Sequence, residues 1–242
     1  MAAIKGGIHR EEKRDIVDEK MGNKLKYWDL GNSRTVDNDD FKTHKIHEVL
    51  SYFKDLEAID LDTRDITSSV AYKIRKWLES AQNLKYLNLS RSTLKSDGLL
   101  SILKGLETSK CQLECLDINY SEIRDAGFEF LAKHLSRAEC KIKYVVCKMN
   151  WITDLGLSKF LNLMKGNKRP LFIAVARNKF SGLHLQNVRK QAEDANVKMD
   201  VFWKLDYVEK DRLSRTLVIT HDFINGEWFG QHIEVALDFF KS

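Results

Sequence analysis

A six-residue apolar signature recurs along this chain and constrains its fold more than any other feature. Leu84-Lys-Tyr-Leu87-Asn-Leu89 returns as Leu113-Glu-Cys-Leu116-Asp-Ile118 and as Ile142-Lys-Tyr-Val145-Val-Cys147. Earlier copies are Leu25-Lys-Tyr-Trp28-Asp-Leu30 and Leu56-Glu-Ala-Ile59-Asp-Leu61, and a degraded later copy is Leu171-Phe-Ile-Ala174-Val-Ala176. The first residues of successive copies are 31, 28, 29, 29 and 29 positions apart. One such unit cannot bury its own apolar face, so units of this period must stack into an array.

The rest of each unit follows the same schedule. Ile66, Leu94, Ile123 and Ile152 stand ten residues after the first apolar position, and Gly98, Gly127 and Gly156 stand fourteen after it. Each glycine opens a stretch with helical apolar spacing: Leu99, Ile102, Leu103 and Leu106; Phe128, Leu131 and Leu135; Phe160, Leu161 and Met164. Each unit therefore reads as a short strand, a turn and a helix of about three turns. A seventh strand is expected within Val197–Trp203.

The stretch from Cys111 to Cys140, CQLECLDINYSEIRDAGFEFLAKHLSRAEC, resembles a leucine-rich repeat of the ribonuclease-inhibitor-like class. The resemblance implies an α/β solenoid, with a parallel concave sheet of about seven strands and helices on the convex side. The solenoid is expected over residues 25–204, an N-terminal arm and partial cap over 1–24, and a C-terminal cap or extension over 205–242. The asparagine usual at the ninth repeat position is found at Asn150, with Ser92 and Ser121 in the two preceding copies. Cys111 and Cys140 share a repeat position and are expected to pack in the core.

Side chains alternate along a strand, so the first, fourth and sixth positions turn inward and the third and fifth face the concave side. Read this way, the third-position ladder is Tyr27, Ala58, Tyr86, Cys115, Tyr144 and Ile173. The fifth is Asp29, Asp60, Asn88, Asp117, Val146 and Val175, and the seventh is Gly31, Asp62, Ser90, Asn119, Lys148 and Arg177. The face is acidic with interleaved tyrosines at its first strands. It is apolar later, where Tyr144, Val146, Phe172, Ile173 and Val175 meet a basic rim of Lys148, Arg177 and Lys179. Adjacent carboxylates at Asp29 and Asp60, with Asp62 close by, repel one another. They point to a docking site for a basic protein partner, with Tyr27 and Tyr86 as aromatic anchors. On this reading Asp60→Asn leaves stability unchanged or slightly raised, and the Cys115 thiol is accessible. The apolar patch needs a cover, either a partner or the chain's own 205–242 segment.

The net charge of +5 resides in the last third, where residues 142–242 hold 16 basic and 11 acidic side chains. No acid lies between Leu155 and Ala192, against eight bases. That field leaves open an RNA-associated role through phosphate contacts. Fold analogy alone adds a GTPase-activating role. No phosphate loop, zinc-protease or nucleophile-elbow motif is found; His44 and His47 have only Asp39 and Asp40 as obvious further ligands and read as a surface helix face. A non-enzymatic protein-binding module without cofactor or metal is therefore expected, acting as adaptor, regulator or structural subunit. Four cysteines in 242 residues and an N-terminal stretch without an apolar core favour a reducing intracellular compartment, the cytoplasm by default, with nucleus and mitochondrion open. No apolar run is long enough to span a membrane. Oligomeric state is not legible.

Overall fold

Tyr86-Leu87-Asn88 is a strand because its neighbours on both sides offer the same extended triplet at the same repeat positions. The computed structural model describes residues 27–29, 50, 56–62 and 65–200. The expectations for residues 1–24, Gly31, His44, His47 and 205–242 lie outside these. The strands are β1 (Tyr27–Asp29), β2 (Ala58–Asp60), β3 (Tyr86–Asn88), β4 (Cys115–Asp117), β5 (Tyr144–Val146), β6 (Leu171–Ala174) and β7 (Val197–Asp200). Between them run α1 (Ser68–Leu78), α2 (Lys95–Thr108), α3 (Arg124–Leu135), α4 (Asp154–Met164) and α5 (Gly182–Asp194). The strands form one parallel sheet in chain order. The predicted ladders hold from β1 to β5: Tyr27 pairs with Ala58, Ala58 with Tyr86, Tyr86 with Cys115, and Cys115 with Tyr144.

The sixth copy departs from the expected register by one residue. Phe172, not Ile173, lies opposite Tyr144, and Ala174, not Val175, lies opposite Val146. Because the side-chain period is two, this slip exchanges faces. Ile173 and Val175 are fully buried in the core, while Phe172 and Ala174 take the concave positions. Pro170 holds the exposed first position, and Leu171 supplies the core contact that Leu84, Leu113 and Ile142 make elsewhere. The slip also places Arg177 at the eighth position, not the seventh, and Asn178 at the ninth.

Asn178 thus joins Asn150 in an asparagine ladder that the expected register had limited to one member. Asn150 Oδ1 accepts the backbone N–H of Ser121 at 2.8 Å and of Ile123 at 3.2 Å. Asn178 Oδ1 accepts those of Asn150 at 2.8 Å and Ile152 at 3.1 Å. Where serine replaces asparagine, Ser92 and Ser121 donate their hydroxyls to the Leu89 carbonyl.

One continuous core runs between sheet and helices. Phe128 and Phe160, from successive helices, stack at 4.4 Å between ring centroids. Cys140 is buried and Cys111 packs against the core, as expected. The repeated glycines allow helix starts to approach closely. A Cβ on Gly127 would lie 3.1 Å from the Ser96 Cα, and one on Gly156 would lie 2.2 Å from Asp125 Oδ1. That closeness lets neighbouring units cap each other's helices, since the first backbone N–H groups of a helix lack partners within it. Ser96 Oγ accepts the Gly127 N–H at 3.1 Å. Asp125 takes the Thr153 N–H and hydroxyl at 2.7 and 2.6 Å, and Asp154 takes those of Ser181 at 2.9 and 2.6 Å.

Candidate functional site: the concave ladders and their carboxyl edge

At the end of each early strand an acidic or amide side chain folds back on its own backbone. The Asp62 N–H donates to Asp60 Oδ1 at 2.8 Å, that of Ser90 to Asn88 Oδ1 at 2.9 Å, and that of Asn119 to Asp117 Oδ1 at 2.9 Å. These are Asx turns that stop the strand. Lateral contacts join the copies: Asn88 Nδ2 donates to Asp60 Oδ2 at 3.1 Å, and the Ser90 hydroxyl donates to Asp62 Oδ1 at 2.8 Å. The Arg91 guanidinium forms a bidentate ion pair with Asp62. The carboxylates read as docking groups therefore have structural work of their own. Asn88 separates Asp60 from Asp117 and relieves part of their repulsion.

Asp60, Asn88 and Asp117 are nearly out of solvent, at 9%, 6% and 7% exposure. Burial pushes the Asp117 carboxyl up to about 7, and the Asp60 charge adds to the rise; the Asn119 N–H, Lys148 and Arg91 oppose it. The third-position ladder is equally enclosed. Tyr86, Cys115, Tyr144 and Phe172 are all buried, and the Tyr144 and Phe172 rings sit 6.3 Å apart. Burial raises the Cys115 thiol well above its ordinary value, so the expected accessible thiol is absent from that position. Val146 is buried beside them.

Beyond the strand ends exposure returns. Asp62, Asn119 and Lys148 are half-buried, and Arg177 and Lys179 are exposed. The structure thus divides the predicted site residues it describes into an enclosed floor at the third and fifth positions and an accessible edge from the seventh onward. For Tyr27 and Asp29 it gives the backbone register, opposite Ala58 and Asp60.

The edge also contains residues that the ladders did not single out. Arg91, Tyr120, Met149 and Arg177, at the eighth position of successive units, all have left-handed backbone, as does Trp151 at the tenth, with φ of 60°. Tyr120 and Trp151 are 55% and 45% exposed. The Arg124 guanidinium lies 5.1 Å and the Lys179 ammonium 5.8 Å from the Trp151 ring centroid. The available signal was a large aromatic side chain at a position where the repeat has no core place to fill.

The basic stretch from 155 to 192 is not one field. Arg169 turns its guanidinium onto the carbonyls of Leu135, Arg137 and Cys140, completing the end of α3. Lys159 lies 3.6 Å from Glu129, and Arg189 lies 3.4 Å from Glu193. Among the described residues no helix is long and apolar enough to cross a membrane.

A family profile described as "Leucine Rich repeat" matches residues 80–103, the third copy of the signature. Similar curated proteins include "RAN GTPase-activating protein 2" of Arabidopsis thaliana, 28% identical over 110 residues that cover 46% of this chain and 20% of that protein. "NACHT, LRR and PYD domains-containing protein 5" of Mus musculus is 30% identical over 106 residues, covering 44% and 9%. The matched stretch spans a fifth or less of either relative's length. The in-register parallel strands, the single core filled from equivalent positions and the matching profile together make this chain a leucine-rich-repeat protein.

Proposed function

We propose that the chain is a non-enzymatic protein-interaction module, an adaptor, regulator or structural subunit of a larger assembly. It meets its partner on the concave side of the sheet, along the edge where the strands end. One observation carries this reading: the floor of the ladders is enclosed, whereas Lys148, Arg177 and Lys179 at the carboxyl edge reach solvent. A rigid floor under exposed charged side chains loses little entropy when a partner docks. Charges at such a rim act mainly on the rate of association. Converting Lys148 and Arg177 to glutamate should slow association with a partner recovered by affinity capture about tenfold at low salt, with less effect at high salt. Unchanged association rates in a variant that melts like the parent would count against the reading.

RNA binding through the basic last third fits the geometry less well, because Arg169 is committed to backbone carbonyls and Lys159 and Arg189 face acids. Tight RNA binding with a steep salt slope would reverse that preference. The similarity to a Ran GTPase-activating protein supports a second reading, stimulation of GTP hydrolysis. A single-turnover assay with Ran and the full chain tests it, and unchanged hydrolysis removes it.

A further inference from the structure

The carboxyl edge holds one place where aromatic surface, cations and left-handed backbone coincide. Trp151 forms the wall between two adjoining clefts. The first is lined by Asp65, Arg91, Tyr120, Glu122 and Met149. The second is lined by Arg124, Asp125, Thr153 and Lys179. The charges divide unequally between them. In the second cleft both oxygens of Asp125 accept hydrogen bonds from Thr153, one from its backbone N–H and one from its hydroxyl, so its charge is partly engaged. Arg124 and Lys179 remain over the indole. In the first cleft Arg91 is paired with Asp62 and Asp65 accepts the Thr93 hydroxyl, while Glu122 is half-buried. What the first cleft offers is the apolar surface of Tyr120, Met149 and Trp151.

We infer that this Trp151 shelf is a docking subsite for an acidic-hydrophobic segment of a partner protein. A carboxylate of the segment sits between Arg124 and Lys179, and an adjoining apolar side chain rests against Tyr120 and Met149. Cations drawn to the indole face are held in place before the ligand arrives, so a carboxylate meets them at reduced entropic cost. The same arrangement disfavours a nucleic acid. Two cations over Trp151 occupy the surface on which a base would stack. Asp65 and Glu122 repel a continuous phosphate chain but leave room for a peptide whose charge is local. This inference rests on the reading of the chain as a protein-binding module, and it adds the chemistry of the partner and the residues that read it.

The test uses the full chain and a fluorescein-labelled twelve-residue peptide in which one glutamate stands beside a leucine and a phenylalanine within a serine-glycine frame, followed by anisotropy. The controls are the same peptide with glutamine for glutamate, and a twelve-nucleotide oligouridylate. The glutamate peptide should bind at least about tenfold more tightly than either control. Trp151→Asn removes the ring but suits a left-handed position, since asparagine adopts that conformation readily. Lys179→Glu reverses a charge at a residue outside the left-handed set. Each should weaken the glutamate peptide about tenfold without lowering the melting temperature. The inference is overturned if the wild type does not distinguish glutamate from glutamine, if the oligouridylate binds more tightly, or if neither variant alters binding. A partner recovered by affinity capture separates this inference from the broader one. Loss of that partner on charge reversal at Lys148 and Arg177, with no effect of Trp151→Asn, removes the shelf and leaves the module.

Discussion

Asp60 shows how a charged residue on a repeat face can belong to the fold. One carboxylate oxygen accepts the Asp62 N–H and the other accepts the Asn88 amide. Asp60→Asn keeps the first bond but sets two amide groups donor to donor across the strands. Substitution should therefore lower stability by about 1 kcal/mol, visible as a lower melting temperature, where the carboxylate-repulsion argument expects no loss or a slight gain. Asp117 carries a different signature. Its carboxyl titrates at about 7 in the folded chain, above the ordinary 3.8. Between those values the folded chain keeps a proton that the unfolded chain has released. Stability should thus fall as pH rises through this window and level off above it. Asp117→Asn should flatten that dependence while keeping the Asx turn, because Asn88 makes the same turn with an amide. Urea unfolding of both proteins between pH 4 and pH 8 checks this.

At the scale of the element, each strand-turn-helix unit borrows its ends from its neighbours. The left-handed residues after β3, β4, β5 and β6 carry backbone strain, and ladder side chains secure those turns. Asn178 accepts two backbone N–H groups and donates to the carbonyls of Cys147 and Val175 at 2.9 and 2.7 Å. Asn178→Ala strands all four groups and should cost about 2 kcal/mol or more. The accompanying rise in amide exchange should centre on Ser121 to Ile152 and not on α1, and hydrogen-exchange mass spectrometry resolves the difference. Alternating acid and base at the second repeat position ties the strand starts together in pairs. Lys85 lies 3.0 Å from Glu57, and Lys143 lies 3.0 Å from Glu114. These partly exposed pairs contribute little to stability.

At the scale of the whole molecule the array is quasi-one-dimensional, so a local loss propagates through neighbouring interfaces. Leu116 is fully buried at the centre of β4, and Leu116→Ala should cost about 2–5 kcal/mol. Chemical denaturation should show that cost, and amide protection in β3 and β5 should fall before that in β7. A variant that melts like the parent would mean that Leu116 does not fill the core. The third- and fifth-position side chains of β2 to β6 are enclosed, so under the proposed function it is the loops after the strands that meet a partner.

The sequence by itself determined the period, the parallel order of the strands and the inward face of the second to fifth copies. All three follow from local chemistry: alternation along an extended chain, helical spacing after each glycine, and stacking of units that cannot bury themselves alone. The turn role of Asp60, Asn88 and Asp117 is also written locally, as an Asx residue at the end of each strand. Tertiary structure alone decided the rest. Pro170 hides the start of the sixth copy, and only the pairing of Phe172 with Tyr144 reveals the one-residue slip. Arg169 resembles any other base until the carbonyls at the end of α3 come within its reach. Trp151 has no place in the repeat pattern, and its pairing with Arg124 and Lys179 exists only because residues 27 and 28 positions apart are laid side by side. Which face a residue takes is set along the chain, whereas which partner it finds is set across it.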